Sequence, residues 1–127
     1  MKIILRNTNL VFEKGVKYVN IEGIIESKQG FFNSDGVFTP FSGYEATSFD
    51  VDASKTYVVT TKLSGTIYGV LYVGSDDIVI DKAFKPESGL LKLSREELSL
   101  PAGTTKILVN LQPDGNLPNA ILEEKIV

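Results

Sequence analysis

Apolar residues along this chain recur mostly at every second position, in short runs rich in Val, Ile, Tyr, Phe and Thr. Gly, Asn, Asp and Pro break up these runs. Period-two alternation of this kind belongs to strands with one face inward. Residues 3–5 and 10–12 are predicted to open the fold. Residues 16–27 are predicted as one half-buried strand with Val19, Ile21 and Ile25 on the same parity. Thr47, Phe49 and Val51 alternate with Ser48, Asp50 and Asp52, and Tyr57, Val59, Thr61 and Leu63 alternate with Thr56, Val58, Thr60 and Lys62. Both segments fit strands with a buried and a solvated side.

Residues 66–73 are apolar on both parities: Ile67, Leu71 and Val73 on one, Tyr68, Val70 and Tyr72 on the other, with Gly69 between them. That is expected of a central strand covered on both faces, weakened locally by its glycine. Residues 78–80 follow a loop at 74–77. In residues 106–112, Ile107, Val109 and Leu111 alternate with Lys106, Asn110 and Gln112, and residues 120–126 close the series. Asn33-Ser-Asp-Gly36 is predicted as a turn, because Asn and Asp side chains bond back to the backbone and Gly accepts positive φ. Ser94 and Glu97 have capping-box spacing, but Pro101 and Gly103 limit any helix there to a turn or two. Short strands without βαβ alternation predict one all-β domain over residues 1–127. The expected architecture is a two-sheet antiparallel β-sandwich of jelly-roll or Greek-key type with at most one short helix.

Composition agrees with an ordinary globule. The 127 residues are 43% hydrophobic and 23% charged, and a domain this size buries roughly two-thirds of its unfolded surface. Net charge is −3, and lysines and arginines are scattered along the chain, so no basic stripe exists to neutralise phosphates and nucleic acid is not an expected partner. The longest uncharged run, residues 63–75, falls short of the ~20 apolar residues that cross a bilayer, so no membrane partner is expected. The first residues lack the apolar region of a secretory signal, which predicts synthesis and release in the cytoplasm of the producing cell. With no cysteine, there is no disulfide, thiolate nucleophile or thiolate metal site.

There is also no histidine, which removes the commonest general base and every Ser-His-Asp or Cys-His constellation. Carboxylates remain as candidates: Asp50 with Asp52, Asp76 with Asp77 or Asp81, and Glu96 with Glu97. None has a spacing that marks a glycosidase pair, and a solvated strand face accounts for Asp50 and Asp52 and a turn for Asp76 and Asp77. The chain is therefore expected not to be an enzyme, and no cofactor is expected. Residues 76–81 and 33–36 offer oxygens that could hold a structural calcium, although the EF-hand ligand pattern is missing. Phe31, Phe32, Phe38, Phe41, Tyr44 and Phe49 crowd together beside Asn33, Asp35 and Glu45. Rings flanked by polar side chains can stack on sugars, which makes Phe41, Tyr44, Asn33, Asp35 and Glu45 the candidate ligand-binding set. The competing expectation is that most of these rings fill the core.

The segments Gly30-Phe-Phe-Asn-Ser-Asp-Gly36, Tyr44-Glu-Ala-Thr-Ser-Phe-Asp-Val51, Lys55-Thr-Tyr57, Gly69-Val-Leu-Tyr-Val-Gly-Ser-Asp76 and Leu100-Pro-Ala-Gly-Thr-Thr-Lys-Ile-Leu-Val-Asn110 form an ordered series. In that order they resemble galactose-binding-like jelly-roll domains. Such domains occur in tail, fibre and other surface proteins of phages and in polysaccharide-binding proteins of gut bacteria. The resemblance spans about residues 20–112. It departs from the family at the tryptophan often found near the position of Tyr44, which this chain lacks. It implies a virion structural protein, a capsid decoration or a head or tail fibre component, that assembles with itself and with other virion proteins. The alternative it implies is a carbohydrate-binding module for a cell-surface glycan.

Overall fold

The computed structural model describes residues 10–13, 16–27, 29–87 and 89–126, so the predicted strand at residues 3–5 lies outside the described residues. Among the described residues, twelve strands follow in chain order: β1 (Leu10–Glu13), β2 (Val16–Ile21), β3 (Ile24–Ser27), β4 (Gly30–Phe32), β5 (Phe38–Pro40), β6 (Glu45–Asp50), β7 (Thr56–Ser64), β8 (Val70–Gly74), β9 (Val79–Ala83), β10 (Leu90–Leu98), β11 (Thr104–Leu111) and β12 (Ile121–Ile126). One sheet has the order β1-β2-β12-β7-β10, a second has β3-β6-β11-β8-β9, and β4 pairs with β5 alone. Every pairing is antiparallel. Four strands of the first sheet, β2-β12-β7-β10, face four of the second, β6-β11-β8-β9. Among these eight strands only β8 and β9 are consecutive neighbours in one sheet, and every other connection crosses between sheets, which is the jelly-roll arrangement.

Between the sheets, Tyr57, Val59, Leu98 and Leu122 of the first pack against Phe49, Val70, Tyr72, Ile107, Val109 and Leu111 of the second. These are the inward parities expected from the alternation of β7 and β11. The both-sided burial expected of residues 66–73 is present from Val70 onward, where every residue of β8 is buried, while residues 66–69 precede the strand and Thr66 is exposed. The second cover of β8 is a third layer. Leu71, Val73 and Leu108, on the outer side of the second sheet, form a separate cluster with Ala46 and Phe32, and Phe38, Tyr68 and Val79 pack against it. The β4–β5 hairpin therefore lies over the second sheet as a small lid.

Two expectations are corrected. Residues 16–27 are not one strand: the chain breaks at Glu22–Gly23, and β2 and β3 lie in different sheets. Gly23 permits this corner because a Cβ there would stand 2.4 Å from Thr47 Cγ2 and 2.7 Å from the Phe49 ring. No helix forms at 94–97. Ser94 and Arg95 are instead a bulge in β10, placed between the pairs Leu93↔Thr61 and Glu96↔Val59, with Arg95 at φ 55°. Cross-strand pairing with β7 continues on both sides of the bulge, so tertiary pairing overrides the local capping signal.

That bulge has a packing consequence. The Arg95 guanidinium reaches back over the first sheet, lies 4.8 Å from the Tyr18 ring centroid and meets the buried Glu123 carboxylate at 3.2 Å. Lys125 pairs with Glu97 at 2.8 Å. The outer face of the first sheet thus carries charges that satisfy one another.

Candidate functional site

Two opposed faces of a three-residue hairpin define the site. In β4 and β5, Phe32 stands opposite Phe38, Phe31 opposite Thr39 and Gly30 opposite Pro40. Phe32 and Phe38 point down into the cluster on the second sheet, their rings edge-to-face at 6.0 Å. Strand alternation then directs Phe31, Thr39, Phe41 and Val37 away from the sheet. The turn between the strands forms as its sequence predicts. Asn33 Oδ1 accepts from the Asp35 and Val37 backbone N–H groups at 2.9 and 3.0 Å, and Gly36 adopts φ 78°.

The lid is fastened by Asn110. Its side chain is completely buried, its Oδ1 accepts from the Phe32 N–H at 2.7 Å, and its Nδ2 donates to the carbonyls of Phe32 at 2.9 Å and Tyr68 at 2.8 Å. One amide thus does for β4 what a neighbouring strand would do. Alternation alone places Asn110 on the solvated parity of β11. The third layer turns that parity into a second interior, and the missed signal was an amide between Val109 and Leu111 in a strand already apolar on its other face.

On the outward face, Phe31, Phe41 and Tyr44 form a ring cluster. Centroid separations are 5.9 Å for Phe31–Phe41, 5.7 Å for Phe31–Tyr44 and 5.4 Å for Phe41–Tyr44, with planes inclined by 64°, 71° and 52°. The Tyr44 hydroxyl donates to the Ser64 carbonyl at 3.0 Å, which ties the cluster to the end of β7. Phe41 remains 55% exposed and Val37, at the far end of β5, 58%.

Of the five candidate residues, the structure brings Phe41 and Tyr44 together; Glu45 follows Tyr44 at the start of β6 but has the parity of Phe49, and its Oε1 lies 3.2 Å from the Asn119 amide. Asn33 and Asp35 are at the opposite end of the hairpin. Asn33 is committed to the turn, and Asp35 lines a separate depression of about 390 Å³ with Asp77, Ile78, Ile80 and Lys82. The expected surround of amide and carboxylate around Phe41 and Tyr44 is therefore divided between two places. The rings are mutually tilted and Tyr44 spends its hydroxyl internally, so the cluster offers apolar surface more than a flat polar-edged platform. The expectation that most rings fill the core holds for Phe32 and Phe49, which are buried, and for Phe38, which packs on the core.

At least one member of each carboxylate pair has a structural partner. Asp52 accepts from the Ser54 hydroxyl and N–H at 2.6 and 2.9 Å, and these bonds, aided by Lys55, hold its carboxyl below the usual range. Asp76 accepts from the Ile78 N–H at 3.3 Å. Glu97 holds Lys125 and, through that bond, raises the ammonium's pKa. Tyr72 is pushed up to about 12 by burial and then by the charge of Asp81. Among the described residues, no three acidic side chains converge as a metal cage would need, at 76–81 or at 33–36.

Comparisons with protein-family models, curated proteins and solved structures return no match.

Proposed function

We propose that this chain is a non-catalytic structural module that works by protein–protein assembly, of the kind that decorates a phage capsid or builds a head or tail fibre. One observation carries the proposal: the β4–β5 hairpin is apolar on both faces. Phe32 and Phe38 already anchor it to the sandwich, which leaves the exposed Val37 and Phe41 on its outward face. A lid that only covered the sheet would present polar residues to water. Clustered exposed apolar surface, particularly aromatic surface, marks interaction sites. The first sheet shows the contrast, since its outer face is laced with the Arg95–Glu123 and Lys125–Glu97 pairs. The ordered series of segments that resembles phage surface domains supports the virion as the setting.

Intact phage particles from cells that make the chain would be analysed by mass spectrometry, with wild type compared against a Phe41→Ser, Val37→Ser variant. Wild type is expected in stoichiometric amounts, and the variant is expected to be lost from particles while keeping its melting temperature. Absence of wild type from particles would overturn the virion setting. Retention on a glycan array that depends on Phe41 and Tyr44 would instead favour a carbohydrate-binding module.

A further inference from the structure

We infer that a second copy of this chain docks against β9, in a closed two-fold pairing that places the two β9 strands antiparallel. The inference rests on the assembly role proposed above and specifies a partner for it.

One edge strand of the second sheet is β9, the other being β3, and along β9 and the turn before it the side chains change character in order. Asp76, Asp77 and Ile78 precede the strand, Ile80, Asp81 and Lys82 lie within it, and Lys85 follows. Ile78 is 62% exposed and Ile80 44%. Asp77, Ile78, Ile80, Asp81 and Lys82 line one and the same depression, together with Asp35 from the hairpin tip. The tip rests on the strand here, since a Cβ on Gly36 would stand 2.8 Å from Val79 Cγ2.

The basic end is built by the backbone. Strand alternation sends Lys82 to the Tyr68 side and Asp81 to the opposite side, toward Tyr72. Phe84 then adopts φ 62°, an uncommon conformation for a bulky residue, and packs against the inter-sheet core. That turn returns Lys85 to the same side as Lys82, so both ammonium groups stand over the Tyr68 ring, 5.7 and 5.9 Å from its centroid. Two like charges share one ring, and among the described residues neither forms an ion pair. Asp77, at the other end, is almost fully exposed and meets Lys106 only at 3.5 Å.

A surface that runs acid, apolar, base is complementary to itself when reversed. A two-fold axis near Ile80 sets the aspartates of each copy beside the lysines of the other and the isoleucines against each other. Contacts across such an axis are reciprocal. The bulge in β9 also fits closure at two. Asp81 faces Tyr72 and Val79 faces Val73, which leaves Ile80 without a ladder partner. An interrupted ladder discourages open-ended strand addition but leaves the side chains free to meet.

The test is a charge swap in the full chain, read by sedimentation velocity. One variant carries Lys82→Glu and Lys85→Glu, the other Asp76→Lys and Asp77→Lys. Wild type is expected to dimerise with concentration, less so at high salt. Each variant alone should lose at least about a hundredfold in association, because like charges now oppose at both ends. An equimolar mixture should recover a dimer containing one copy of each. Circular dichroism confirms folding of both, and recovery in the mixture does so independently. A wild type that stays monomeric overturns the inference and leaves the virion experiment to decide the assembly role separately. A wild-type dimer indifferent to both swaps also overturns it and keeps the assembly role with a different interface.

Discussion

Replacing Asn110 by Leu keeps the approximate volume of the side chain and removes every hydrogen bond it makes. Three backbone groups lose their partner at once: the Phe32 N–H, the Phe32 carbonyl and the Tyr68 carbonyl. Stranding a buried polar group costs about 1–3 kcal/mol. Tyr68 and the hairpin rim are only partly buried and can turn toward water, so the low half of that range applies. The total is about 3–6 kcal/mol, a large share of the ~5–15 kcal/mol that holds a domain together. The loss can surface in two ways. If the hairpin stays docked, the urea midpoint falls with the slope unchanged. If the hairpin lifts, the sandwich keeps most of its stability, while the segment from Gly30 to Pro40 gains hydrogen exchange and protease cleavage. Lifting re-exposes Phe32 and Phe38, each worth about 1.5–3 kcal/mol of burial, so the two routes lie close in free energy and both need to be recorded. Thr61→Val is the control. It removes only the Thr61 hydroxyl bond to the Asn110 carbonyl and is expected to cost about 1 kcal/mol without loosening the hairpin. An Asn110→Leu variant within about 1 kcal/mol of wild type, with the hairpin still protected, would refute the idea that this amide fastens the lid.

Arg95→Met leaves the buried Glu123 carboxylate without its cation and, because the arginine is part-exposed, is expected to destabilise by about 2 kcal/mol. Adding Glu123→Gln should recover much of that loss in urea titrations, and a double variant no better than the single would contradict the pairing. Tyr72 gives the pH dependence. Its folded-state pKa is raised from 10 to about 12, so its contribution is complete below pH 10 and is lost as pH climbs from 10 to 12. The drop should be about 1–3 kcal/mol, and alkaline unfolding of Tyr72→Phe should lack that component. Gly23→Ala forces a methyl group against Thr47 and Phe49 and is expected to lower stability by about 1–3 kcal/mol in thermal melts.

The sandwich was legible because alternation carries it. Tyr57, Val59, Thr61 and Leu63 are all buried, as their period-two spacing requires, and the apolar stretch around β8 correctly signalled cover on both faces. The nature of the second cover was not legible. Periodicity reports which residues share a face and not what lies over it, so Asn110 passed for a solvated residue although its amide is the fastening of a third layer. The break at Gly23 escaped for a related reason. Val19, Ile21 and Ile25 keep parity across the corner, so the pattern runs on while the chain changes sheets. Within the candidate site, sequence proximity correctly joined Phe41 to Tyr44 but wrongly joined Asn33 and Asp35 to them, because a hairpin puts neighbours in sequence at opposite ends.

All three bonds from the Asn110 side chain end on backbone atoms, so the anchor recognises the path of the hairpin and is blind to the identity of its outward side chains. The residues that hold the hairpin down also form a cluster separate from the one between the sheets. Rewriting Phe31, Val37, Thr39 and Phe41 should therefore leave the sandwich intact, and this gives the chain a display platform. Its outer surface can be exchanged, by natural variation or by grafting, while Asn110, Phe32 and Phe38 keep every version in the same position.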